Sequence, residues 1–174
     1  MSNSLEDRLS KLQQEIAGKL RQLPPIIGKE VVNFSLDNFK AQAWQNKEVE
    51  PWEKRKSPTK WEQKQDDDRA LLVNSGQLRR SIRVGKTHDD KVQIIAGGAD
   101  TPYARAHNEG FKGLVHQHVR EHIRRTRNGG QYTVKAHDRS IEQNIPKRQF
   151  IGNSAQSAEL RERINSLIRK VLKQ

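Results

Sequence analysis

The chain contains no cysteine at all. Disulfides and thiolate metal sites are therefore excluded, and stability must come from apolar burial, hydrogen bonding or association with other subunits. No apolar run is long enough to span a bilayer, so no membrane partner is expected. The first 23 residues interleave leucine with charge and lack the continuous apolar stretch of a secretion signal. Synthesis and retention in the cytosol is the expectation. Aromatic residues make up 5% and hydrophobic residues 32% of the 174 positions. Such a chain has material for one domain with a thin core and extended appendages. Catalytic signatures are missing too: there is no Walker or Rossmann glycine loop, no Gly-x-Ser-x-Gly elbow and no thiol nucleophile. No enzyme, cofactor or small-molecule substrate is expected.

What the chain has in quantity is charge. Lysine and arginine number 33 against 21 acids, a net charge of +12. An excess of that size favours polyanions, whether nucleic acid, anionic membrane or acidic protein faces.

Two apolar stripes open the sequence. Leu5, Leu9, Leu12, Ile16 and Leu20 recur at helical steps, with Ser4 as a candidate N-cap and Asp7 three positions on. Pro24-Pro25 should stop this helix, because proline lacks the donor and crowds the preceding turn. A second helix is expected from Ile26 to about Gln45, with Ile27, Val31, Phe34 or Leu36, Phe39 and Ala43 as its apolar set. Both stripes are expected to pack on a sheet. Residues 46–70 break all periodicity and carry Pro51, Pro58, Trp52, Trp61 and the acid run Asp66 to Asp68. This reads as a long polar loop. Trp52 and Trp61 either pin it to the domain or anchor a neighbouring subunit. The acid run lacks the spacing of a calcium loop and reads as solvated.

Strand signals begin near Leu71. Asn74-Ser75-Gly76 has turn chemistry, and a short helix around Leu78 gives way to a strand ending at Val84-Gly85. Thr87 to Asp90 is a hairpin turn, and Lys91 to Ala96 a strand with Val92 and Ile94 on one face. Tyr103 to Gly110 suggests a helical turn or short strand leading to a bend.

Residues 114–140 alternate with period two. Val115, Gln117, Val119, Glu121 and Ile123 fall on one face of a strand, and His116, His118, Arg120, His122 and Arg124 on the other. Asn128-Gly129 suits a two-residue turn, after which Tyr132 to Arg139 returns. In that arrangement Ile123 faces Val134, and Arg120 faces His137. The arms echo one another, as Val119-x-x-His122-x-Arg124 and Val134-x-x-His137-x-Arg139. Residues 111–149 hold nine basic side chains, including Arg125, Arg127, Lys135 and Lys147, against three acids, an excess of +6. A basic ribbon of this kind could enter a DNA groove, or dock on an acidic protein neighbour. His116 and His122 lie about 20 Å apart on an extended strand, too far to share one ion, so no metal site is expected. The chain ends with Pro146, with Phe150 and Ile151 as buried anchors, with Gly152 as a turn, and with a helix capped by Asn153 or Ser154 and running to Leu172.

The expected fold class is α+β: N-terminal helices and a C-terminal helix packed on a small antiparallel sheet, with a protruding basic β-hairpin. Within a single domain, residues 1–45 are the N-terminal helices and 46–70 the loop. Residues 71–152 form the β-rich core with its hairpin arm at 114–140, and 153–174 the C-terminal helix.

Three ordered blocks carry a resemblance. They are Leu72 to Ile82 (LVNSGQLRRSI, with Gly76 and Leu78), Tyr103 to Gly110 (YARAHNEG, with His107), and Ile145 to Gly152 (IPKRQFIG, with Pro146, Arg148 and Phe150). In this order, separated by a basic hairpin and followed by a helix, they resemble the virion morphogenesis proteins of Mu-like phages, related to the tail-completion group of tailed bacteriophages. Asn74-Ser75 replaces the usual Asp-Thr, and Asn108-Glu109 a more typical Gln-Phe. Trp52 sits where these proteins often carry a tryptophan. The resemblance implies a non-catalytic virion protein of the tail or neck, assembling as a cyclic homo-oligomer among other neck and tail proteins. Arg120, His122, Arg124, Arg125, Arg127, Lys135, His137 and Arg139 are then candidate subunit contacts, with non-specific contact to passing DNA also open.

Overall fold

The computed structural model describes residues 3–54 and 70–173. Trp61 and Asp66 to Asp68 lie outside the described residues, as does the side chain of the proposed cap Ser4. Helix α1 (Asn3–Ala41) is one continuous helix of 39 residues with Pro24 and Pro25 inside it. The expected break between two helices does not occur. Each proline removes one hydrogen bond, to the carbonyls of Leu20 and Arg21; both of those residues are exposed, where solvent can satisfy a carbonyl that lacks its helical donor. Packing of the following turns holds the helix together instead. Gly28 lies so close to the β-structure that a Cβ there would come within 2.8 Å of Val92. Helix α1 ends at Gln42, whose left-handed backbone (φ 52°) departs from the helix. The strain is offset by its side-chain amide, which donates to the Phe39 carbonyl at 2.6 Å and accepts from the Leu71 N–H.

Beyond α1 the described elements are β1 (Ala43–Gln45), β2 (Val49–Pro51), α2 (Gln77–Arg80), β3 (Arg83–Thr87), β4 (Val92–Ile95) and α3 (Ala104–Glu109). They continue with β5 (Phe111–Val119), β6 (His122–Arg125), β7 (Gln131–Val134), β8 (His137–Ile145) and α4 (Ala158–Lys173). Helices at both ends and small antiparallel sheets make this an α+β fold. The sheets are two-stranded ladders: β1 with β2, β3 with β4, β5 with β8 and β6 with β7. The first ladder falls at the junction of the expected second helix and long loop. The turn after β3 closes through the His88 N–H to the Lys91 carbonyl.

The core forms where the C-terminal half of α1 meets α4, β3 and β4. Phe39, Trp52, Leu78, Ile82, Ala104 and Phe150 form one buried cluster, and Val31, Phe34, Trp44 and Leu160 a second. Edge-on pairs Phe34–Trp44 and Phe39–Trp52, both with ring centroids 5.4 Å apart, give it rigidity. Helix α4 begins later than expected. Ser157, rather than Asn153 or Ser154, caps it: its Oγ accepts the Leu160 N–H at 3.0 Å, while Asn46 accepts that of Ala158. Asn153 instead closes the turn before the helix. Arg163 then binds α4 to α1. Its guanidinium reaches Asp37 at 3.0 Å, Glu159 at 2.9 Å and Glu30 at 3.5 Å, over the Phe34 ring.

The N-terminal half of α1 takes no part in this packing. Leu5, Leu9, Leu12, Ile16 and Leu20 are 43–63% exposed, so the first stripe does not lie on a sheet. A periodic stripe shows which side of a helix calls for cover; it does not show what supplies it.

A candidate interaction surface on the basic ribbon

Strands β5 to β8 form one two-stranded ribbon, interrupted at Arg120-Glu121 and Lys135-Ala136. From Phe111 opposite Ile145 to Arg125 opposite Gln131, a single register runs through both halves. At the rise of an extended strand the arm is about 45 Å long. No other described element packs extensively against it.

The hairpin lies where the sequence places it, but its register differs by one. Ile123 faces Thr133, and His137 faces Val119. The Asn-Gly pair does not form a two-residue turn. The Thr126 N–H bonds the Gly130 carbonyl at 2.7 Å, and the Gly129 N–H bonds the Thr126 carbonyl at 3.2 Å. Arg127, Asn128 and Gly129 thus make a three-residue loop in which Gly129, not Asn128, takes the positive φ of 81°. One extra loop residue moves every pairing expected across the ribbon.

Local chemistry secures the inner half. His118 Nδ1 and Asp138 Oδ1 are 2.7 Å apart, His116 Nδ1 and Ser140 Oγ 2.9 Å apart, and Arg139 donates twice to Gln117 Oε1. These histidines are therefore engaged across the ribbon, and among the described residues no cluster could hold a metal ion. The echo between the arms has a structural counterpart at the interruption. Val119 pairs with His137, and His122 with Val134. Each histidine Nδ1 also lies 2.9 Å from the carbonyl two residues before it, Arg120 for His122 and Lys135 for His137.

All the candidate contact residues on the arm are exposed: Arg120, His122, Arg124, Arg125, Arg127, Lys135, His137 and Arg139. Beyond the interruption, residues 122–134 carry Arg124, Arg125 and Arg127 and no carboxylate. Apolar side chains lie open on the same arm, Leu114 at 64% and Ile123 at 67% exposure. Trp52 belongs to neither set. It is 6% exposed and donates its indole N–H to the Gln149 carbonyl at 2.9 Å, so it pins the chain to the core.

The three sequence blocks meet at the base of the arm. Leu78 and Ile82 of the first, Ala104 of the second and Phe150 of the third share one cluster. Asn108 Oδ1 accepts the N–H groups of both Phe150 and Ile151 at 3.0 Å, and the His107 carbonyl accepts that of Arg148 at 2.7 Å. Arg148 is buried and donates to the Glu53 carbonyl. Gly76 opens α2 with a φ of 70°. Gly110 takes a φ of 80°, which favours glycine, and at Gly152 a Cβ would come within 2.7 Å of Trp44. His107 lies edge-on to Tyr103, with its Nδ1 buried and without a hydrogen-bond partner among the described residues. Burial, assisted by the nearby charge of Arg148, lowers its pKa below the usual 6.5. Together the blocks form the platform that carries the ribbon.

The model of the phage virion morphogenesis family matches residues 2–173, nearly the whole chain. The chain belongs to the phage virion morphogenesis family. No curated protein and no solved structure matches it. A morphogenesis protein of a phage particle is thus built as a small body with two exposed projections, the ribbon and the first half of α1. Among the described residues, no helix is long and apolar enough to cross a membrane. Sequence reading passed over Arg163, Gln42 and Trp44. Only Trp44 carried a usable signal, as an aromatic beside Ala43, the last apolar position of the expected second helix.

Proposed function

We propose that this morphogenesis protein is a non-enzymatic, ring-forming subunit of the tail, acting where the tail is completed and joined to the head. The observation that carries this reading is the ribbon: about 45 Å of paired strand that leaves the body and holds Leu114 and Ile123 open to solvent. A lone two-stranded ribbon is marginal in water, so the arm calls for cover from outside the body. Its natural complement is a neighbouring copy or an adjoining tail protein. Contacts between unlike surfaces of successive copies close into rings when the rotation allows. The body supports such an arm without needing it, since its core lies elsewhere. Replacing residues 116–140 by an Asn-Gly turn between the paired Val115 and Ile141 should leave a folded body and abolish assembly into tailed particles. Infectious tailed particles made with the shortened protein would refute the assignment.

A second reading rests on the outer end of the arm. Arg124, Arg125 and Arg127, free of neighbouring carboxylates, suit contact with phosphate, and a β-ribbon fits a major groove. Duplex binding measured across a salt series tests it: a steep loss of affinity with salt supports DNA contact, and no binding at low salt removes it.

A further inference from the structure

The first half of α1 is a second unpartnered surface, independent of the ribbon and of the ring reading. Leu5, Leu9, Leu12 and Ile16 follow the four-three-four spacing of a helix seam, and all are exposed. After Ile16 the spacing slips, and the next apolar positions are Leu20 and then the buried Leu23. A regular seam therefore covers residues 5–16. Its occupant can be read from the charges beside it. Arg8 and Glu15 flank the same edge of the stripe, seven residues apart.

We infer that this segment pairs antiparallel with the same segment of a second copy. In that arrangement Leu9 packs on Leu12 of the second copy, and Ile16 on its Leu5. Arg8 then stands opposite Glu15 of the second copy, and the two-fold axis repeats the ion pair. On the other edge, Glu6 meets the neutral Gln13. A parallel pair would set Arg8 against Gln13 and Glu15 against Leu20, with no charge complementarity. Glu15 already bonds Lys19 of its own helix at 2.6 Å, and its second oxygen remains available for Arg8. A two-fold contact closes at two copies, so it couples subunits in pairs and leaves ring growth to another surface. Four core residues from each helix give a short, weak contact, effective mainly where the assembly holds copies close together.

Sedimentation of the full chain over roughly 1–500 µM, a range suited to weak association, tests the pairing. Arg8→Glu and Glu15→Arg should each weaken self-association by about tenfold, since each places like charges together twice. The double variant should regain it, and an equimolar mixture of the two single variants should form a mixed pair. Leu9→Asp should abolish association. Overturning results are single variants that associate like the original chain, or a double variant and a mixture that stay as weak as the singles. A loss on Leu9→Asp without any charge dependence would mean that the stripe meets another surface of the second copy, and would equally overturn the antiparallel pairing. Particle assembly by the shortened-ribbon protein is read separately, so either conclusion can fail alone.

Discussion

His107 shows how one side chain makes the body sensitive to acid. It is held in the neutral form by burial and by Arg148, with a pKa below the ordinary 6.5. The unfolded chain therefore takes up a proton here at a pH where the folded chain does not. Its contribution to stability is complete above the unfolded value and falls as pH drops toward the folded one. The urea midpoint should accordingly be lower at about pH 5.5 than at about 7.5, and His107→Gln should reduce that difference. An unchanged difference in the variant would place the proton uptake at another group. The role of this histidine was only partly legible. The Tyr-Ala-x-x-His spacing identified it as a landmark, but its burial depends on residues 103–110 packing against 145–152, a contact no local pattern announces.

At the scale of elements, periodicity and turn chemistry located most pieces, and what they lacked was environment. The Leu5 to Leu20 stripe was legible as a helix, yet it faces solvent, while the similar Ile27 to Phe39 stripe is covered by α4 and β4. Pro24-Pro25 carried a strong stop signal, which the packing of the turns around Gly28 overrides. Asn128-Gly129-Gly130 located the hairpin correctly. The same three residues serve a two-residue or a three-residue loop, so the register could not be read from them. Helix α4 depends on a contact invisible in sequence, the grip of Arg163 on Asp37. Desolvation works against the Asp37 carboxylate, but hydrogen bonds from Lys40 and Arg163 outweigh it and lower its pKa. Arg163→Met should cost about 1–2 kcal/mol, discounted for a side chain still 28% exposed. Urea unfolding followed by tryptophan fluorescence measures it, since Trp44 lies in the same cluster as Phe34 and Leu160. Arg163→Lys should recover part of the loss, because an ammonium cannot fork to two carboxylates.

For the whole molecule, the placement of apolar groups is the guiding quantity. Two small clusters hold the body together, while large apolar side chains outside it or at its margin stay exposed, among them Leu5, Leu9, Leu12, Ile16, Leu20, Val49, Phe111, Leu114 and Ile123. If association covers part of this surface only in the folded state, mass action stabilises folding as concentration rises. The thermal midpoint should therefore climb with protein concentration, measured by scanning calorimetry over about a hundredfold dilution series. A midpoint independent of concentration would mean that the body gains nothing from its neighbours.

The ribbon's unbroken register has an evolutionary consequence. Every pair from Phe111–Ile145 out to Arg125–Gln131 depends on the same count of residues in each strand. Descendants of this gene can therefore extend or trim the arm only by balanced changes, one residue gained or lost on each side of Asn128. A lone insertion would turn every side chain beyond it to the opposite face. Related sequences should vary in this region by even numbers of residues, whatever neighbour the arm has to reach.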